Sequence, residues 1–377
     1  MLKIKPRFQK KIKTVLIITV CWTLFAILSF ISEYFFTYDL LALRKLTGTY
    51  DFWPDFIGTI ILGIFGGLIG GYLLVFKMGT RYRKRSFAFG IVNSGLLFIA
   101  SYLVLAIAGL FIMDIIYFSS SMPFSAAWQK TWKNILFNLG TPSFLVTLGI
   151  WALLVSFTQF MLQVSDKFGP GILWKFITGK YHRPRQEERI FMFLDLKSST
   201  TIAEKMDSTH FFLFLKEIYA DITEPIVNSL GEIYQYVGDE VVITWPVERG
   251  LENNNWMACF TGIQQVLEKR KEAYLARFGH VPSFKAGVHL GNATVGEIGV
   301  IKKDIVFSGD VLNTTSRIQQ VCNSFHVDML VSSTLVDRLR SDGDLEILPV
   351  GEIRLKGKEE RVMLHSVRSR LLDIETS

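Results

Sequence analysis

Apolar positions follow two regimes along this chain. Up to about residue 163 they come in long runs without a polar face, over roughly 14–32, 56–76, 87–111 and 141–162. Each run approaches the ~20 apolar residues that cross a bilayer. A soluble core helix keeps a polar stripe, and a cleaved leader is shorter and stands alone, so the pattern predicts four transmembrane helices. Further on the runs shorten. Ile190, Phe191, Met192, Phe193 and Leu194 end on Asp195, and polar Lys197, Ser198, Ser199, Thr200 and Thr201 follow, which predicts a buried strand over 189–195 handing over to a helix. Ile202, Phe211, Phe214, Leu215, Ile218 and Ile222 keep helical spacing over about 200–229, and Gly231 stops it. GEIYQYVGDEVVITW carries two β-branched and aromatic runs around Gly238–Asp239, a hairpin signal. A helix over 252–278 and a strand over 284–290 complete a βαββαβ order, the ferredoxin-like split unit.

Charge orients this plan. Lys3, Lys5, Arg7, Lys10, Lys11 and Lys13 precede the first span, and Lys77, Arg81, Arg83, Lys84 and Arg85 lie between the second and third. The first outer loop mixes Glu33, Asp39, Asp51 and Asp55 with Arg44 and Lys45. The positive-inside rule then predicts a multi-pass protein of the plasma (inner) membrane with both termini and everything after residue 163 in the cytoplasm. The net charge of +7 is accounted for by topology and anionic lipid, and without basic–aromatic interleaving nothing points to nucleic acid. The expected domains are a membrane domain over 1–163, an amphipathic linker over 164–185 and a cytoplasmic α+β domain over 186–377. In the linker, Gly169–Pro170–Gly171 breaks the helix. Trp174 and Phe176 are expected to face the bilayer, with Lys175, Lys180, Arg183 and Arg185 toward headgroups. Gly63, Gly67 and Gly71, with Gly66 and Gly70 beside them, form a small-residue stripe suited to close helix contact, within one chain or between two. Asp114 falls at the outer end of the third span. The outer loops are short, which excludes a large extracellular ligand domain. Cys21, Cys259 and Cys322 are scattered, which argues against disulfides or a thiolate metal site.

In a ferredoxin-like unit the first strand pairs antiparallel with the third, so Asp195 and Asp239 should meet at one sheet edge. Paired carboxylates beside a helix start make a Mg²⁺-type site for a substrate that brings its own phosphates. In SGDVLNTTSRIQQ, Asp310 is expected to cap a helix from Val311, with Asn313 and Arg317 on one face. EIRLKGKEE sets Lys356 and Lys358 around a glycine on a strand–turn.

FLDLKSST, YVGDEVVITW, GDVLNTTSR and LKGKEE, in this order, resemble the class III nucleotidyl cyclase catalytic domain, over about residues 186–368. The resemblance implies a homodimer with active sites at its interface, and Mg²⁺ or Mn²⁺ as two ions per site. It places Asp195, the adjacent Leu196 and Asp239 at the metals of one protomer. Asn313 and Arg317 of the other act on the ribose and the transition-state phosphate, and Lys356 contacts phosphate. Ser198, Ser199 and Thr200 are nucleotide-binding candidates. Gln235 and Val306 occupy the base-choosing positions, where adenylate cyclases usually carry Lys with Asp or Thr, and guanylate cyclases Glu with Cys. Lys285 is a candidate substitute for the missing Lys. The implied reaction converts ATP to 3′,5′-cyclic AMP and pyrophosphate, with a GTP-using or dual-specificity cyclase as the alternative. A catalytically silent nucleotide sensor, and a receptor whose membrane part drives the dimer, are readings of other classes. YVGDEVV lacks the GG[DE]EF-like hairpin of a diguanylate cyclase.

Overall fold

The structure, a computed structural model, describes residues 6–43, 52–78, 86–120, 122–169, 172–339, 345–354 and 361–369. It divides into two units, Phe8–Phe168 and a second from Gly169 onward. Lys3, Lys5, Arg44, Lys45, Asp51, Arg81, Arg83, Lys84, Arg85, Pro170, Gly171, Lys356 and Lys358 lie outside the described residues.

The first unit is helical: α1 (Pro6–Leu43), α2 (Phe52–Tyr72, continued by a π-helical turn Leu73–Met78), α3 (Phe87–Ser119), α4 (Phe124–Leu139) and α5 (Pro142–Phe168). Among the described residues, four stretches are long and apolar enough to cross a membrane: Phe8–Asp39, Phe56–Lys77, Phe87–Val104 and Pro142–Lys167. The glycine stripe packs within the chain. A Cβ on Gly67 would lie 2.6 Å from the Thr19 Cα of α1, and one on Gly63 would lie 3.0 Å from the Thr23 Cα. Helix α4 was not expected from the sequence. It buries Ala127, Thr131 and Ile135, one face at four-residue spacing, and Asn134 Nδ2 donates to Asp114 Oδ2 at 2.7 Å. The segment between the third and fourth spans is therefore a structured helix.

The second unit opens with α6 (Ile172–Ile177), and its core is built on β1 (Arg185–Leu196). Strand β1 starts four residues before the expected 189, because polar Arg185–Glu188 still pair with Thr294 and its neighbours on β4 (Phe284–Ile298). The run is continuous because both faces are covered. Ile190, Met192, Leu194 and Leu196 enter the larger core and Phe191 and Phe193 the smaller one. The helix expected over 200–229 is two, α7 (Ser199–Lys205) and α8 (Ser208–Asn228), broken where Asp207 leaves helical geometry to accept from the Thr209 and His210 N–H groups at 3.0 Å each. Phe214, Ile218, Ile222 and Ile226 of α8 are fully buried on the larger core, each contributing about 1.5–3 kcal/mol.

The hairpin is β2 (Glu232–Val237) and β3 (Glu240–Pro246), with Gly238 at φ +60° in its two-residue turn. The helix expected over 252–278 is preceded by a short α9 (Val247–Leu251) and is itself a 3-10 turn, α10 (Asn255–Lys269) and α11 (Lys271–Phe278). Asn253 and Asn254, both at positive φ, make the kink. Beyond β4 come β5 (Asp304–Ser308), α12 (Asp310–Gln320), β6 (Met329–Ser332), α13 (Ser333–Val336), β7 (Leu345–Arg354) and β8 (Arg361–Ser369). Asp310 is the first residue of α12 rather than its cap. Gly309 holds the cap position, and Asp310 accepts from Thr314 Oγ1. Sheet order is β2-β3-β1-β4-β6-β8-β7, with β5 pairing β4. The β2-β3-β1-β4 part is the expected ferredoxin-like arrangement.

The linker departs from expectation. Trp174 and Phe176 are two positions apart and so fall on different sides of α6; Trp174 and Ile177 are its exposed apolar residues. Lys175 and Lys180 turn back onto the domain, to Glu232 at 3.2 Å and Glu187 at 3.3 Å. They join a buried network around Arg189, which bonds Glu187 and Glu232 at 2.8 Å each and Thr244 at 3.1 Å. Burial opposes the charged forms of both glutamates. The Arg189 guanidinium, with further bonds and the lysines, outweighs it and holds both below the usual carboxylate range.

Candidate functional site

Strand register assembles the candidate metal edge. Asp195 stands opposite Glu240 of β3 on one side and Lys285 of β4 on the other. Asp239 occupies the adjoining hairpin turn, which is fixed by the Tyr219 hydroxyl donating to the Gly238 carbonyl at 2.6 Å. Burial comes first among the causes raising the Asp195 pKa; Lys285 and the Gln319 amide oppose it, and the charge of Asp239 adds to it. Glu240 is pushed up to about 7 by burial and then by Asp195 and Asp239. The Tyr219 phenol is raised by burial and by the same carboxylates. Three acidic groups thus crowd one edge.

Among the described residues no group of three or more His, Cys, Asp or Glu forms a metal cage. The candidate donors are the Asp195 and Asp239 carboxylates and the Leu196 main-chain carbonyl. The Leu196 side chain is buried in the core, so only its backbone oxygen is available to a cation. Such a partial set fits Mg²⁺ or Mn²⁺, which take part of their coordination from substrate phosphates. The cation on Asp195 here is the Lys285 ammonium, 3.1 Å from Oδ2, so Lys285 is placed at the carboxylate edge. Ser198, at φ +55°, turns β1 into α7; Ser198 and Thr200 are exposed and Ser199 half-buried, all just beyond Asp195.

Helix α12 meets the same edge through a residue that sequence reasoning missed. Gln319 is buried, and its Nε2 donates to Asp195 Oδ2 at 3.0 Å. Asn313 and Arg317 share a face, exposed at Asn313 and half-buried at Arg317. Gln319 lies two positions beyond Arg317, about 200° round the helix. The Asn313–Arg317 face is therefore turned away from the carboxylates of its own chain.

Gln235 lies toward the carboxylate end of the sheet, because its partner Val242 pairs with Phe193, two residues from Asp195. A bulge at Tyr234 sets Gln235 opposite Val242, and the Tyr234 hydroxyl accepts from the Phe307 N–H at 3.3 Å. Val306 pairs with Gly296, eleven residues along β4 from Lys285, roughly 36 Å of strand path at ~3.3 Å per residue. Lys356 lies outside the described residues. Glu240 and Gln319 carried no signal in sequence, since each joins the site through a pairing that periodicity does not specify.

The profile of the adenylate and guanylate cyclase catalytic domain matches residues 182–368. Adenylate cyclase 2 of Rhizobium meliloti (strain 1021) is 33% identical over 208 residues, which cover 55% of this chain and 57% of that protein. The adenylate cyclase of Anabaena cylindrica is 24% identical over 186 residues, covering 47% of this chain and 36% of its own. The chain thus spans about half or less of the length of these relatives. A solved bacterial light-regulated adenylyl cyclase shares the fold with a TM-score of 0.51 at 18% identity, over 58% of this chain and 64% of its own.

Proposed function

Because residues 182–368 make this chain a member of the adenylate and guanylate cyclase catalytic-domain family, we propose that it is a membrane-anchored adenylate cyclase working as a homodimer. The carrying observation is the β3-β1-β4 register, which sets Asp195 beside Glu240 and Lys285 at the edge where Asp239 turns. In this reading Asp195, Asp239 and the Leu196 carbonyl hold Mg²⁺ or Mn²⁺. The bound ions lower the pKa of the ribose 3′-hydroxyl and neutralise the phosphates. Ser198, Ser199 and Thr200 receive phosphates from the same side. The 3′-oxygen bonds to the α-phosphorus as the bond to pyrophosphate breaks, and the hydroxyl proton leaves.

Asn313 and Arg317 of a second copy orient the ribose and stabilise the developing phosphoryl charge; Lys356 adds a phosphate contact. Supporting the division between chains, the Asn313–Arg317 face points away from the same chain's Asp195. Gln235 and Val306 contact the base. A Gln side chain both donates and accepts, so it can serve either purine edge, and a GTP-using or dual-specificity enzyme is the second reading. The helical unit anchors the protein in the plasma membrane, with its catalytic domain in the cytoplasm by the positive-inside rule.

The test is a product assay on full-length protein with ATP and GTP in parallel, under Mg²⁺ and then Mn²⁺. Cyclic AMP from ATP is expected, and Asp195→Ala or Asp239→Ala abolishes it. Mixing Asp239→Ala with Arg317→Ala protomers should restore one site per heterodimer. No recovery on mixing sinks the shared site. No cyclic product from a folded dimer moves the protein to a silent nucleotide sensor.

A further inference from the structure

The base of the β4–β5 hairpin is joined to the segment through which the chain arrives from α5. Helix α6 begins four residues after α5 ends, and its exposed apolar residues are Trp174 and Ile177. The turn after α6 is stitched to β4: the Glu297 N–H donates to the Tyr181 carbonyl at 3.0 Å, and His182 lies 3.8 Å from Glu297. Just past Glu297 the hairpin turns through Gly299, Val300, Ile301 and Lys302. Its apolar tip is bare, with Ile298 59% exposed, Val300 94% and Ile301 103%.

No other described stretch presents two neighbouring aliphatic side chains so completely to solvent. The larger and smaller cores close without them. The surrounding charge is positive on balance. Asp304 is paired with Lys302 at 2.8 Å, Glu297 lies against His182, and Glu187 is held by Arg189 and Lys180. Lys303, Arg183 and Arg185 are exposed beside them.

We propose that this hairpin tip is a lipid-docking element, inserting Val300 and Ile301 at the headgroup–acyl boundary of the anionic leaflet while Lys303, Arg183 and Arg185 meet its phosphates. An aliphatic tip ringed by cations fits a bilayer interface, where apolar burial and attraction to anionic lipid act together. The docked end is the Arg185 end of β1, ten residues from Asp195, so the carboxylate edge stays clear of lipid. The proposal rests on reading the four apolar helices as membrane spans, and its test separates the two ideas.

Full-length protein is reconstituted with an environment-sensitive thiol fluorophore at one position at a time. The native Cys21, the one exposed cysteine, reports the first span; Cys259 and Cys322 are buried and stay unlabelled. In a Cys21→Ser background, Ile301→Cys reports the tip, and Phe212→Cys reports an exposed apolar site on α8. Vesicles are phosphatidylcholine with or without phosphatidylglycerol, carrying a phosphatidylcholine with a nitroxide near the headgroup. The expected result is quenching at Ile301 several-fold above that at Phe212 in anionic vesicles. It should fall to the Phe212 level without phosphatidylglycerol, at high salt, or with Arg183→Glu and Lys303→Glu. Quenching at Cys21 but not at Ile301 overturns the docking and leaves the spans. Cross-linking of Ile301→Cys between copies without quenching assigns the tip to a second copy and also overturns it. An unquenched Cys21 removes both ideas.

Discussion

Gly287 sets how closely α12 lies on β4, and Gly287→Ala measures what that closeness is for. A Cβ there would fall 2.4 Å from the Gln319 nitrogen and 2.7 Å from its Cα and Cβ. Two of these atoms are backbone, so no rotamer change relieves the contact. Reaching an ordinary contact of 3.4 Å requires α12 to retreat by about 1 Å. The helix is held against that retreat by Thr314, Thr315 and Ile318, all fully buried. Overpacking of this kind costs roughly 1–3 kcal/mol, a fall of about 2–12 °C in melting temperature for a domain of this size. The same shift stretches the Gln319–Asp195 bond and displaces Asn313 and Arg317 with the helix. Misplacement of reacting groups by ~1 Å costs on the order of 100-fold in rate. Cyclic nucleotide production and thermal unfolding, measured on one preparation, should therefore separate: most of the protein stays folded at assay temperature while turnover falls by about two orders of magnitude. Gly66→Ala, where an added Cβ meets nothing within 4 Å, is the control and should change neither. Wild-type turnover in Gly287→Ala would mean that the placement of α12 does not control the site.

Arg189→Met should destabilise the second unit by about 3 kcal/mol or more, because it leaves Glu187 and Glu232 without their main counter-charge. The sign of the pH effect follows from their lowered pKa values. The network stabilises the fold above the usual carboxylate pKa of about 4.3 and loses that contribution as pH falls through the lowered values. Thermal unfolding against pH should therefore slope below about pH 4.3 in the wild type and flatten in Arg189→Met; equal slopes would remove the network from the account. Gln235→Glu with Val306→Cys should move the product ratio from cyclic AMP toward cyclic GMP, and Gln235→Lys should move it the other way. If the ratio of products from ATP and GTP stays fixed in both, these positions do not contact the base.

Local pattern carried some features further than others. The four spans were legible because a bilayer demands an unbroken apolar run, and no tertiary contact can hide one. The Asp195–Asp239 edge was legible because a tight hairpin and an antiparallel β1–β3 pair leave little freedom in register. Helix lengths were less legible. A single period ran through Lys205–Ser208, and only the competition of Asp207 for the Thr209 and His210 N–H groups breaks it. The linker was misjudged for a related reason. Lys175 and Lys180 look like headgroup ligands until Glu232 and Glu187, distant in sequence or across a turn, claim them.

The two ends of the sheet carry different parts of the proposed chemistry. Carboxylates, Lys285 and Gln319 gather where β1 ends, with Gln235 two residues from the Asp195 level, while Val306 pairs with Gly296 toward the far end of β4. One chain cannot rotate its own Asn313–Arg317 face inward, because Val311, Thr315 and Gln319 already occupy the side of α12 that packs on the sheet. On the shared-site reading this constraint makes a lone protomer catalytically incomplete even when perfectly folded. Activity should then follow dimer concentration rather than folded protein, and any signal arriving through the linker needs only to alter how two rigid sheets meet.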